Sequence, residues 1–431
     1  MSIQTEFAEE EKRRVRRAHI VAGMLEAVAM ATMSGVFFTL LVKQLGVSDA
    51  LAGTLSTVVH LGCVTQIFAI GFLRRIRSVR TTSIILQSIK KLLYAFLYML
   101  PFLPMATGVR IALFAVVFAG ASISSNLISP ASFHWMMAFV SKEERGIYTA
   151  HREMLTLIVT IVYNFLMGRV LDHFNAQGRP EIGLVLCACT ILVMMFAHII
   201  AMLFTKDSPA VLEQIGQTPN FVRVLKNNLH NTNLLKLVLV GVTWNFFCFF
   251  STSFHNVFLL QELQSTTTFV VVAGMFGNFI RLACSAPSGK YADHNGFARS
   301  MGLGFALAAL AIGLMMFWTP ETGRLYYLLY QIPYCSALAL LGNGQNNITL
   351  QYIDPADRVG AQGMYTAMLG LSSFLGSLVG GRILAAIQAN GNRVFGIPMY
   401  GQQFLSGISF IALVALTVYV YTVVARMKRI D

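Results

Sequence analysis

"EERGIYTAHREMLTLIVTIVYNFLMGRVLD", residues 143–172, sets an acid-arginine pair ahead of an apolar run and closes on glycine, arginine and an aliphatic residue. No charged residue falls between Met154 and Met167. The same design returns at residues 356–385 as "ADRVGAQGMYTAMLGLSSFLGSLVGGRILA". Glu144-Arg145 matches Asp357-Arg358, and Gly168-Arg169-Val170 stands at the same distance beyond it as Gly381-Arg382-Ile383. Two matches at one offset indicate an internal duplication of apolar, helix-length segments.

The rest of the chain has the same character. Of 431 residues, 56% are hydrophobic and only 12% charged, where a soluble domain carries about 25%. A membrane span needs about 20 mostly apolar residues to cross roughly 30 Å of hydrocarbon, and about twelve such stretches occur. They lie near 19–43, 50–73, 82–106, 109–139, 148–171, 183–204, 234–260, 268–288, 301–318, 326–351, 361–387 and 403–425. Backbone polar groups find no water in lipid, so spans must be helices or a closed barrel. Continuous rather than alternating apolarity selects helices. The expected fold is all-α: a polytopic membrane protein of two pseudo-symmetric six-helix bundles, 1–204 and 233–431, joined by a cytoplasmic linker, 205–232.

Lys and Arg cluster at 12–17, at 74–80, at 142–152, in the 205–232 connection, at Lys290 and Arg299, and at 426–429, while the alternate loops hold only scattered arginines. By the positive-inside rule both termini are cytoplasmic, as an even number of spans requires. The first span is too long for a signal-peptide core, so the N-terminus is expected to be retained in a multi-pass protein of the cell membrane. The net charge of +13 is accounted for by topology and anionic inner-leaflet lipids, so membrane lipids are expected partners and nucleic acid is not. All six cysteines fall inside spans, and the Cys187/Cys189 pair lacks metal-site partners.

A second internal match joins "GFLRRIRSVR" from Gly71 with "GKYADHNGFAR" from Gly289. In the latter, Gly289, Asp293, Gly296 and Arg299 fit the cytoplasmic signature G-x-x-x-D-x-x-G-x-x-R, and the chain resembles the major facilitator superfamily. The resemblance implies two rocking bundles around a midplane cavity. It also implies a conformational latch made of Gly289, Asp293, Gly296, Arg299, Gly71, Arg145 and Arg358. The glycines permit a tight turn, and the carboxylate can accept from free N–H groups at a neighbouring helix start. The first copy departs from the pattern, with Arg75 where the family has Asp.

Ionisable side chains within spans are costly and need a partner, an aqueous cavity or a route to the interface. Arg281 lies about 12 Å from the cytoplasmic end of its helix at about 1.5 Å per residue, with Asn278 and Ser285 on the same face. Because the resemblance places the eighth span beside the central cavity, Arg281 is a substrate-cavity candidate; its alternative is a structural arginine bonded to backbone or to Glu26. A carboxylate withdrawn from water can be held protonated at neutral pH, which makes Glu26 the proton-coupling candidate, against an ion pair with Arg281 or a lysine. Lys90 and Lys91 sit either near the middle of the third span or near its end. That span is peripheral in the family, so snorkelling to the headgroups is the favoured expectation.

The remaining substrate-cavity candidates are Trp244 and Asn245 on the seventh span, Asn126 on the fourth, and Tyr330, Gln331, Asn343 and Asn346 on the tenth. The asparagine-rich tract of the tenth span reads as a wet cavity wall or a flexible gate, with interhelical packing as the alternative. Tyr330 and Trp244 belong to aromatic stripes that more often serve as core. On the eleventh span, Gly376 and Gly380 with Ser373 and Ser377 allow helices to approach closely and slide.

There is no phosphate-binding G-x-x-x-x-G-K-[ST] loop, no His-Glu metal signature and no nucleophile elbow. No enzyme activity, metal or cofactor is expected. The resemblance implies a secondary active transporter, expected as a monomer, moving a small polar or anionic organic solute (sugar, glycoside or organic acid) by alternating access with protons as the coupling ion. Efflux of amphipathic compounds by proton antiport and a transport-dead receptor or scaffold are the alternatives.

Overall fold

A computed structural model of the chain describes residues 8–66, 72–73, 75–140, 145–208, 230–352 and 358–427. In chain order the first helices are α1 (Glu9–Thr32), α2 (Gly35–Gln44), α3 (Asp49–Ser56), α4 (Leu61–Val64), α5 (Val79–Met99), α6 (Thr107–Ala138), α7 (Arg145–Ala176) and α8 (Pro180–Leu203). After the connection come α9 (Thr232–Thr252), α10 (His255–Val257), α11 (Thr267–Asn295), α12 (Phe297–Leu314), α13 (Gly323–Tyr352), α14 (Arg358–Ala389) and α15 (Gly401–Thr422). A small antiparallel hairpin, Arg393–Val394 with Ile397–Pro398, joins the last two.

Among the described residues, ten helices are long and apolar enough to cross a membrane, or eleven when the bent pair α1 and α2 counts as one span. The expected second span is shorter among the described residues, an apolar stretch over Asp49–Val64 interrupted by a 3-10 turn at Val58–His60. Side-chain caps set several helix starts: Ser48 accepts from the Leu51 N–H, Ser78 from Thr81, Asn231 from Leu234 and Thr266 from Phe269, each satisfying a donor with no partner in its own helix. At the 44° bend between α1 and α2, the carbonyl of Thr32 accepts from the Tyr98 hydroxyl at 2.6 Å. A break in a membrane helix is tolerated where a neighbour re-satisfies the freed groups.

The chain separates into two compact units, one of Met1–Gly46 and Leu61–Asn220, the other of Val47–His60 and Phe221–Asp431. Within the first, α1 packs on α7 and α8, α5 on α6 and α8, and α4 on α6. Within the second the set repeats: α9 packs on α14 and α15, α12 on α13 and α15, and α11 on α13. The duplicated segments are α7 and α14, each a 32-residue helix beginning at its arginine. The core of the first unit gathers Val15, Val79, Ile128, Trp135 and Phe139, and that of the second Trp244, Met301, Phe305, Leu341 and Tyr365.

The small-residue face of α14 is used for close approach. A Cβ on Gly376 would fall well inside contact of the Phe246 carbonyl oxygen on α9, and one on Gly380 would do the same at Phe250. On α3, Thr54 donates to the Ser377 carbonyl at 3.3 Å, and the Ser377 hydroxyl donates to the Gly53 carbonyl at 3.2 Å.

Candidate functional site

Ionisable side chains collect in the interior of the first unit, on α1, α5, α7 and α8. Helix α1 presents His19 and Glu26, seven residues and about two turns apart on one face. From α5, Lys90 donates to Oε1 of Glu26 and Lys91 to Oε2. Only 3% of Lys90 and none of Lys91 is exposed. The expectation that the lysines snorkel is therefore corrected. A carboxylate on the facing helix satisfies both ammonium groups locally, whereas an unpaired buried charge is expensive. The partner of Glu26, left open between Arg281 and a lysine, is this lysine pair.

Beside the carboxylate lies a cavity of about 300 Å³ whose lining includes His19, Glu26, Gln87, Trp135, Arg152 and His198. Arg152 reaches it from α7. Its guanidinium lies along α1 at Gly23, where a Cβ would stand 2.9 Å from Arg152 Nε, so glycine at that point admits the cation. His19 meets Trp135 edge-on with ring centroids 4.6 Å apart, and the indole N–H donates to the Lys206 carbonyl at 2.8 Å. Ser83 and Ser132 share a 2.7 Å hydrogen bond on the wall. Four buried polar atoms of this lining have no hydrogen-bond partner among the described residues: His19 Nε2, Gln87 Oε1, Arg152 Nε and His198 Nδ1. In native interiors such groups are nearly always satisfied by protein, water or ligand.

Sequence reasoning used Arg152 only as a topology marker and did not consider His198. The duplication contains the signal. Arg152 stands seven residues beyond Arg145, and Tyr365 stands seven beyond Arg358. Tyr365 packs over Gly241 of α9, as Arg152 packs over Gly23 of α1. One niche occurs twice, filled by a phenol within the apolar core of the second unit and by a cation in the first.

The other candidates are dispersed. Arg281 is exposed on α11, and its side chain has no hydrogen bond or ion pair among the described residues; the Ser285 hydroxyl donates to its carbonyl. Asn278 is half-buried on the same helix. Trp244, Tyr330 and Gln331 are 5%, 2% and 6% exposed. Trp244 packs on Phe305, and Tyr330 lies among His255, Trp318 and Tyr334. Asn126 bonds Gln66 at 2.8 Å, and Asn245 accepts from Ser373 at 3.2 Å, both ties between helices. The side chains of Asn343, Asn346, Asp293, Arg145 and Arg358 lie outside the described residues, as does Gly71.

The turn expected at the second signature motif is corrected in one respect. Helix α11 continues through Gly289 to Asn295, and nothing lies within 4 Å of a Cβ at Gly289. The chain turns at Gly296 alone, with φ +87°, a conformation that favours glycine. Arg299 is exposed in the first turn of α12. Where the first copy lacks its acid, Asp207 supplies one from beyond α8. Its carboxylate accepts from the Ser78 hydroxyl and, at 3.0 Å, from the Arg80 N–H at the start of α5. In return the Arg80 guanidinium donates to the Leu203 carbonyl at the end of α8, at 2.9 Å. Each helix terminus receives the charge that its dipole favours.

Long apolar helices in two duplicated units define a multi-pass membrane protein. The model of the Major Facilitator Superfamily matches residues 20–380, and the chain belongs to that family. Among solved structures it is similar in fold to the nucleoside transporter NupG, with 14% identity, TM-score 0.70, and 96% of this chain and 100% of that one covered. It is also similar to a D-xylose-proton symporter, with 15% identity, TM-score 0.66, and 95% and 97% covered. The xylose transporter XylE from E. coli aligns at 14% identity and TM-score 0.63 over 98% and 99% of the chains. No curated protein matches the chain in sequence.

Proposed function

We propose that the protein imports a small polar or anionic organic solute by alternating access in symport with protons, and that Glu26 is the residue through which protons are coupled. The observation that carries this reading is the interior ion cluster. A carboxylate shared by Lys90 and Lys91 beside a cavity can exchange its lysine partners for a proton, and an intramembrane ionisable group of this kind is functional by default. The fold relatives include one described as a proton symporter, which is compatible with the same coupling here. Arg281, exposed on α11, is proposed to meet substrate from the second unit, and Asp293 with Gly296 to serve as a latch. We further propose a monomer in the cell membrane with both termini in the cytoplasm, as the basic clusters require.

Proteoliposomes test the coupling. Substrate-dependent alkalinisation of the external medium is expected with the native chain and is expected to vanish in Glu26→Gln while substrate exchange without a proton gradient persists. Unchanged proton movement in that variant would remove Glu26 from the mechanism.

A further inference from the structure

We infer that the cavity of the first unit is a binding site for an oxyanion group, a carboxylate or phosphate, carried by a small organic solute, with Arg152 as its anchor. The inference rests on the transporter reading only for its physiological role and deepens it by naming the substrate class.

Charge is the first reason. Three cations, Lys90, Lys91 and Arg152, face a single carboxylate among the described residues of this cluster, Glu26. Unbalanced positive charge in a membrane interior is costly, and the carboxylate is already occupied by the lysines. The guanidinium is the cation with no described counter-ion, and its planar fork suits two oxygens of one carboxylate or phosphate.

Geometry is the second. The unpartnered atoms around the space are largely potential donors: Arg152 Nε, His19 Nε2 and His198 Nδ1. Both histidines are more than nine-tenths buried, at 7% and 5% exposure. A volume of about 300 Å³ is at the lower end for small-molecule sites, enough for a compact acid. Exposed Ser129 and Phe133 border the same cavity and give it an edge reachable from outside the unit.

The duplication is the third. The second unit builds the same helix pair over Gly241 with buried Tyr365 and no cation, so the architecture does not require a charge at that point. What the first unit gains by placing Arg152 there is recognition.

The test uses the purified full chain in detergent at low salt. Succinate, inorganic phosphate and the neutral isostere succinamide are titrated while thermal unfolding and heat of binding are followed. A saturable rise in Tm with succinate or phosphate and none with succinamide is expected, and whichever anion binds tighter identifies the oxyanion. Arg152→Gln should weaken that anion at least tenfold, with Arg152→Lys intermediate because charge is kept and the fork lost. An equal response to succinamide, no response to either anion, or native affinity in Arg152→Gln would overturn the proposal. If Arg152→Gln does not fold, the Arg152→Lys titration and the anion-versus-amide comparison on the native chain decide. Binding in detergent needs no turnover, so failure here is distinct from failure of the proton-coupling reading, which shows only in proteoliposomes.

Discussion

Lys90 and Lys91 illustrate how a residue's surroundings override its usual habit. A lysine in a membrane helix ordinarily extends its stem toward the headgroups, yet these two end on one carboxylate inside a helical unit. Removing one partner of a buried ion pair costs about 3–5 kcal/mol because the other charge is stranded. Here the second lysine limits the damage. Lys91→Met is expected to cost less than that range, because Glu26 keeps Lys90. Lys90→Met/Lys91→Met together should reach it, and adding Glu26→Gln to the double variant should restore much of the loss. Thermal unfolding of the variants in one detergent checks the order; equal losses for the single and double variants would show that one lysine alone holds the carboxylate.

At the scale of elements, glycines that look alike in sequence have opposite roles. Gly376 sits where a Cβ would strike the Phe246 carbonyl, so Gly376→Ala must push α14 from α9 and is expected to destabilise by about 1–3 kcal/mol, the usual range for overpacking. Gly289 is helical with open space around it, and Gly289→Ala is expected to be neutral or stabilising by about 0.5–1 kcal/mol. Comparing their melting temperatures distinguishes packing glycines from permissive ones, and a destabilised Gly289→Ala would return that residue to a constrained turn. Apolar length and the repeated Arg145 and Arg358 starts made α7 and α14 legible in advance. Asp207 was not legible as a cap for α5, because the residues it serves lie 127 and 129 positions away. The absence of an acid at Arg75 was visible; only folding shows that Asp207 provides a carboxylate at the adjoining helix start.

At the scale of the whole molecule, the stretch Val47–His60 groups with the second compact unit although the chain on either side of it belongs to the first. Its hydrogen bonds to Ser377 run between α3 and α14. If transport requires α3 to part from α14, joining them should arrest the cycle. Oxidative cross-linking of a Thr54→Cys/Ser377→Cys variant is expected to stop uptake in proteoliposomes, and reduction to restore it. Unchanged uptake in fully cross-linked protein would mean that this contact persists through the cycle.

From the amino-acid order alone came the class, the duplication, the approximate spans and the existence of intramembrane charges, because lipid imposes one rule on every span: apolar outside and hydrogen bonds satisfied within. That rule is local and is written in consecutive residues. Which charges face one another is not local. Glu26 and Lys90 are 64 residues apart, Arg152 enters from a third helix, and the glycine that admits it, Gly23, lies on α1 with Glu26. Tertiary packing decided the pairing, the orphaned donors and the cavity between them, since the energy of a buried charge depends on its neighbours in space and not on its neighbours in the chain.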